Sequence, residues 1–428
     1  MTGALRIVEG AEAARQSVLR REPLRDPALP EPVRATIRET FGADLSAGEV
    51  VTRIIDDVRR EGDAAVTRYS QRFDRSSYGA LEVSGEEIEA ARREVPTDVM
   101  EAMQFAVDRL QRFHRTQAEH GPRPFTEHGV GMIVRPLQRA GVYMTGAESA
   151  LPSSVIHTVV PGAVAGVDEI IGVTAARADG SVHPLKLVAA ELAGVHRIFR
   201  ASGAQAIAAL AFGTETIPRV DKVFGPGGVF VTLAKQQLYG TVGIDALYGP
   251  TETLVLADED AAPDLCAADL LAQAEHDVLA TPVLITTDRR HAELVAAEVE
   301  RQLEDLERSA IARAAIERGG AVVVADLDEA IDLANEFAPE HLCLLTANPG
   351  ALASRVRNVG VRHIVNLAAS VEATPSDHAA VACPVAAHVA EVVASLEGYV
   401  ALVQFRCHSG VFTLSSPPCS CPTEEATR

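Results

Sequence analysis

Between Ser46 and Phe73 apolar residues return every three or four positions with polar residues between them, a period that predicts an amphipathic helix, or two helices separated by Gly62. A similar pattern runs from about Thr97 to His114, so residues 1–130 read as a mostly helical segment that packs onto a core elsewhere. Beyond Gly131 the texture changes to short β-branched runs separated by helical stretches. The runs EIIGVTAA (169–176), HRIFRAS (196–202), ETLVLAD (252–258), PVLITTD (282–288) and AVVVAD (321–326) are each expected to form a buried parallel strand. Helices are expected over Asp264–Glu275, Arg290–Arg318 and Asp328–Phe337. This alternation predicts an α/β architecture with helices on both faces of parallel sheets. A division near residue 250 gives two sheet domains, 131–250 and 251–360, although no Pro/Ser-rich linker marks it. Residues 361–428 keep no clear period and read as a divergent tail. No internal repeat is visible. Ligands in such sheets sit beyond the carboxyl ends of the strands, so the loops after these runs are where chemistry is expected.

Composition narrows the class. The chain has 428 residues, 47% of them hydrophobic, which supplies two or three apolar cores and excludes disorder for most of its length. Its 39 basic and 59 acidic side chains leave a net charge of −20, and no basic patch is visible, so no nucleic-acid partner is expected. Only three of the cations are lysines (Lys186, Lys222 and Lys235), an imbalance that reads as compositional bias. Six cysteines are few, and Cys383, Cys407, Cys419 and Cys421 crowd the last 46 residues, leaving Cys266 and Cys343 in the body. The body therefore reads as reduced, without a disulfide framework. No apolar run reaches the roughly 18 residues needed to span a bilayer, and no export signal opens the chain. A cytoplasmic protein without a membrane partner is expected.

Three segments carry candidate chemistry. In ADLLAQAEHD (268–277) Gln273 and His276 are three residues apart and share one helix face. An imidazole is a good zinc ligand and a carboxamide oxygen a weaker neutral one, although on spacing alone a histidine capping the helix end is the simpler reading. In NEFAPEHLCLL (335–345) Pro339 ends the preceding helix and places Glu340 and His341 at a helix-to-strand junction. A carboxylate and an imidazole can both accept protons near neutral pH, but adjacent strand residues face opposite ways, so both serve one site only if the turn persists through them. An exposed loop pair is the simpler reading. Finally, RASGAQAIAALAFGTE (200–215) and KVFGPGGVFVTLAK (222–235) put glycine between a strand-like run and a helix, which lets backbone N–H groups approach a phosphate; a tight structural turn is the alternative.

Taken in order, SGAQAIAALAFGTETIPRVDKVFGPGG, GTVGIDALYGPTETLVLAD, LLAQAEHD and FAPEHL resemble histidinol dehydrogenase, over about residues 35–360. The segment QRAGVYMTGAESALPSSV (138–155) resembles that family's cofactor loop, with Met144-Thr145-Gly146-Ala147 where Val-Pro-Gly-Gly is usual. The resemblance implies two Rossmann-like parallel-sheet domains, a homodimer, and a two-step NAD-dependent oxidation of an amino alcohol through a bound aldehyde at a zinc site. It implies that Gln273 and His276 are zinc ligands that also face substrate. It also implies that Thr251 contacts substrate, that Tyr143 and Gln205 contact NAD, and that Glu340 and His341 are the acid/base pair, also facing substrate. Gly228 stands where the family usually has Asn.

The family also carries Gly-Asp-Tyr-x-x-Gly-x-x-His and Glu-Gly-Leu-x-x-His segments that complete the zinc site, and neither occurs here. Asp377-His378 lies near the expected distance without the flanking glycines, and Glu397-Gly398-Tyr399 has Leu402 in place of the histidine. Two readings compete: a zinc- and NAD-dependent dehydrogenase of the histidinol type, for histidinol or another amino alcohol, and a non-catalytic or zinc-deficient paralogue whose sequence after Gly360 has decayed or shifted frame.

Overall fold

The computed structural model describes residues 5–21, 29, 31–146, 150–248, 251–306 and 308–359, together with the backbone of 361–366. In chain order the first elements are β1 (Ile7–Glu9), α1 (Ala11–Arg15), α2 (Glu31–Phe41), α3 (Ala47–Glu61), α4 (Asp63–Phe73), α5 (Gly85–Glu94) and α6 (Thr97–His120). A hairpin β2 (Phe125–Glu127) and β3 (Val130–Met132) precedes β4 (Arg139–Met144), α7 (Pro152–Ala165), β5 (Glu169–Thr174), α8 (Pro184–Ala193) and β6 (Arg197–Arg200). Then follow α9 (Gly203–Phe212), β7 (Lys222–Phe224), α10 (Val229–Leu238), β8 (Gly243–Ile244), β9 (Glu252–Ala257), α11 (Pro263–Ala274) and β10 (Thr281–Thr286). The last are α12 (Arg289–Leu303), α13 (Ser309–Arg318), β11 (Gly320–Val323), α14 (Leu327–Phe337), β12 (His341–Thr346), α15 (Pro349–Ala353) and β13 (Val361–Asn366). The chain divides into two compact units, residues 21–249 and residues 1–20 with 250–428.

The unit of residues 21–249 is built on a five-stranded sheet in the order β6-β5-β4-β7-β8, every pair parallel. The chain winds from central β4 to one side and then returns to the other, which puts its crossover helices on opposite faces. On one face α3 buries Val51, Ile54 and Val58 in a cluster with Ile207 and Leu210 of α9 and Ile171 and Val173 of β5. The first helix starts at a capping box, Ser46 with Glu49, and ends at Gly62, whose φ of +55° no longer continues it; α4 begins immediately afterwards. Both helices of the Ser46–Phe73 pattern are therefore present, with Gly62 between them.

The other unit has a six-stranded parallel sheet in the order β1-β11-β10-β9-β12-β13. Apart from β1, this winding repeats that of the first sheet, although the sequence shows no repeat. Val255, Leu284 and Cys343 face α11, α12 and α13, while Leu254, Leu342 and Leu344 face α1 and α14. All five β-branched runs form strands, each parallel to its neighbours.

Two local expectations differ. Residues 7–9, within the stretch read as mostly helical, are extended, because the outer edge of β11 offers free main-chain groups: Ala321 N–H donates to Arg6 O (2.8 Å) and Gly10 N–H to Val323 O (2.8 Å). The single helix expected over 290–318 is broken at 304–308, so that both Val295, Val299 and Leu303 of α12 and Ala312, Ala315 and Ile316 of α13 reach the same core. The tail beyond residue 366, with Asp377, Glu397 and the four late cysteines, lies outside the described residues. Among the described residues no helix is long and apolar enough to cross a membrane.

Buried polar groups pin the first unit. Arg200, 5% exposed at the end of β6, donates to the carbonyls of Gly180 (2.9 Å), Ala80 (3.1 Å) and Glu82 (2.9 Å) and pairs with Glu87. Arg200→Met strands three carbonyls and is expected to cost about 3 kcal/mol, read by urea unfolding; a loss under about 1 kcal/mol would contradict this role. Tyr69 and Tyr143 are both pushed up to about 12, chiefly by burial, with a hydrogen bond from Tyr69 to Asp57 (2.5 Å) adding to the shift in that ring. The folded state thus holds both phenolic protons more tightly than the unfolded chain does. Their contribution is complete below pH 10 and is lost as pH rises from about 10 to about 12. The thermal midpoint should fall over that window, and less steeply in Tyr69→Phe with Tyr143→Phe.

Candidate active site

Five expected site residues collect at the amino edge of the second sheet. Thr251 directly precedes β9 and its carbonyl accepts from Thr281 N–H, the start of β10 (2.8 Å). Gln273 occupies the last turn of α11, and His276 follows in the turn that closes it, His276 N–H donating to Gln273 O (3.2 Å). The helix stops at Ala274, so His276 lies beyond it, and this tight turn is what continues the helical path. Glu340 directly precedes β12 and His341 opens it, pairing in register with Thr253. Because α11 runs antiparallel to the strands, its carboxyl end shares an edge with their amino ends. These candidates therefore lie at the opposite edge from the one at which chemistry was expected.

The junction before β12 also decides how its two residues face. Ala338 adopts a left-handed conformation (φ +48°, ψ +61°) ahead of Pro339, and the chain is still bending at Glu340. The Glu340 carboxylate stands 3.8 Å from Nε2 of His341, which is 6% exposed. The turn persists far enough for adjacent residues to converge, in place of an open loop pair. A half-exposed carboxylate touching a buried imidazole can relay protons to and from a ligand at this edge.

Gln273 is 7% exposed, and its Oε1 is buried without a hydrogen-bond donor. A buried acceptor left this way, one turn from an imidazole, fits a borderline dication such as zinc. Gln273 and His276 would hold it. Among the described residues no group of three or more His, Cys, Asp and Glu side chains gathers to hold a metal. Cys266 and Cys343 are free and buried. Burial pushes both thiols up and the nearby Asp269 carboxylate adds to the shift, so neither is suited to act as a nucleophile.

In the other unit the expected residues lie at the carboxyl edge. Tyr143, near the end of β4, accepts a hydrogen bond at its hydroxyl from Gly203 N–H (3.1 Å), the first residue of α9. Gln205, 1% exposed in the same turn, donates to Ser70 (3.4 Å), and Ser202 donates to Asp74 (2.6 and 2.8 Å). Tyr143 and Gln205 are thus brought together around the start of α9. Gly228 caps the start of α10 with φ −66° and no side-chain bond, and a Cβ there would meet nothing within 4 Å. Of the cofactor-loop segment, residues 147–149 lie outside the described residues. Sequence reading passed over Asp245 and did not place Lys235 at any site; both bond to Gly225 in this edge, and ten residues with a strand end between them hide the partnership.

A family model described as histidinol dehydrogenase matches residues 38–374. A histidinol dehydrogenase of Geobacter sulfurreducens is 49% identical over 334 residues, covering 75% of this chain and 78% of that one. One from Moorella thermoacetica is 50% identical over 315 residues, covering 72% and 74%. The crystal structure of histidinol dehydrogenase from Elizabethkingia anophelis superposes with a TM-score of 0.76 at 31% identity, covering 86% of this chain and 81% of that one. Together with the parallel-sheet architecture, these matches establish that the chain belongs to the histidinol dehydrogenase family of oxidoreductases.

Proposed function

We propose that the protein oxidises L-histidinol through histidinal to L-histidine, the last oxidation of histidine biosynthesis, with NAD and zinc. The observation that carries this reading is the convergence of Glu340 and His341, 3.8 Å apart, at the edge where Gln273 presents an unpartnered buried oxygen. When bound, zinc would orient the substrate hydroxyl and NAD would accept one hydride in each of two steps. His341 takes the hydroxyl proton in the first step. Glu340 then draws a proton from water attacking the aldehyde, and the resulting hydrate gives up the second hydride. Thr251 helps to hold the amino alcohol, while Tyr143 and Gln205 belong to the NAD side. By the same resemblance the working form is a cytoplasmic homodimer without nucleic-acid or membrane partners. A non-catalytic paralogue is not favoured, since the acid/base pair is assembled and identity to curated relatives holds at 44–50% over about three quarters of the chain.

Purified protein given histidinol, NAD and added zinc should form two NADH per histidine; no turnover with zinc present would sink the reading. Glu340→Ala and His341→Ala should each lower kcat by about 10²-fold or more while leaving the unfolding transition in place. Activity surviving in both would refute their roles. Gly228→Asn, for which the structure has room, should lower KM for NAD and add a few tenths of a kcal/mol by capping α10, seen as a higher thermal midpoint. A raised KM would show that the glycine is needed.

A further inference from the structure

The turn Gly225-Pro226-Gly227-Gly228 leaves β7 and enters α10 against the end of β4. Gly225 has φ +108°, and a Cβ on it would stand 2.5 Å from the Tyr143 carbonyl oxygen, so no other residue fits there. Both of its main-chain polar groups are taken by side chains from outside the turn. Its N–H donates to Asp245 Oδ2 (2.7 Å), and its carbonyl accepts from Lys235 Nζ (2.6 Å). The two side chains are themselves paired, Nζ to Oδ1 at 2.6 Å, and Oδ1 also accepts from Ala246 N–H (2.7 Å). Lys235 is 1% exposed on α10, and its side chain reaches back toward the start of that helix. One turn earlier Thr232 donates to Gly227 O (3.3 Å) and to Tyr248 O (3.0 Å), and the Tyr248 ring lies 5.2 Å from the ammonium.

We propose that Lys235 and Asp245 are a positioning pair that sets dinucleotide affinity by holding the Gly225–Gly228 turn against Tyr143, an inference that rests on the NAD reading above. Desolvating two charges offsets most of their attraction, so a buried ion pair is a poor source of stability. What this pair supplies is opposite charge to the two polar groups of one glycine, which fixes that residue from both sides. Lysine suits the task where arginine does not: a single carbonyl and one carboxylate oxygen are met by a compact ammonium on a flexible stem, and a planar five-donor fork would leave buried N–H groups unmet. The chain otherwise uses arginine for nearly all its cations, and two of its three lysines, Lys186 and Lys235, are fully buried.

The test compares the full-length wild type with Lys235→Met, Asp245→Asn and the double variant, by NAD titration calorimetry and steady-state kinetics with histidinol. Each single variant should raise both Kd and KM for NAD about tenfold, with kcat within about twofold and KM for histidinol unchanged. The double variant should be no worse than the poorer single one, because the pair acts as a unit. Asp245→Asn keeps an acceptor for Gly225 N–H and so guards against loss of the fold; its effect should be the smaller in the same direction. Val107→Ala, a cavity-forming change on α6 of the same unit, should leave Kd for NAD unaltered. Wild-type NAD affinity in both single variants, with only the unfolding midpoint changed, overturns the proposal. A wild-type protein that binds no NAD at all overturns the cofactor reading, and the pair's role with it.

Discussion

A parallel strand can be followed by another in the same sheet only if the chain crosses back over that sheet, and in both units each return between neighbouring strands is helical. The two windings are alike, β6-β5-β4-β7-β8 and β11-β10-β9-β12-β13, without any likeness in sequence. The helical returns also sort the ends of the elements: strand ends and helix starts share one edge, and helix ends and strand starts share the other. Everything placed in a turn inherits the edge on which that turn falls. Gly203, Gly225 and Gly228 belong to the first kind of edge, and Gln273, His276, Glu340 and His341 to the second.

The parts of this arrangement that could be read from the sequence are those in which local chemistry and the global fold agree. Runs such as LVLA and VLI are apolar throughout because their strands are covered on both faces, and all five β-branched runs form strands. Strand β4 was hidden for the opposite reason. RAGVYM carries a glycine that reads as a loop signal, yet Gly141 is there because Leu210 packs where its Cβ would be, 2.9 Å away. Strand β1 has three residues, too few for any period, and exists because β11 offers it an edge. The break within 290–318 has no glycine or proline to announce it and is set by the core that both halves reach.

The site was legible as a set of residues but not as a place. Spacing put Gln273 beside His276 and adjacency put Glu340 beside His341, while only the left-handed Ala338 and the bend after it show that the second pair converges. Of the candidates, Tyr143 lies near a strand end, where the rule for such sheets looks for ligands, and Glu340 lies before a strand start, where it does not. Lys235 and Asp245 were illegible because their common partner is backbone, which leaves no mark in side-chain pattern.

The two edges differ in sign as well as in shape. Each helix carries roughly half a positive charge at its start and half a negative charge at its end, felt within about one turn. At the carboxyl edge of the first sheet α9 and α10 present their starts, so that edge favours anions such as the phosphates of a dinucleotide. At the amino edge of the second sheet α11 and α14 present their ends beside Gln273, His276 and Glu340, so that edge favours cations. A chain with a net charge of −20 and few lysines can thus present an edge that favours anions without a basic patch, because the attraction comes from main-chain dipoles whose direction was settled when the strands became parallel.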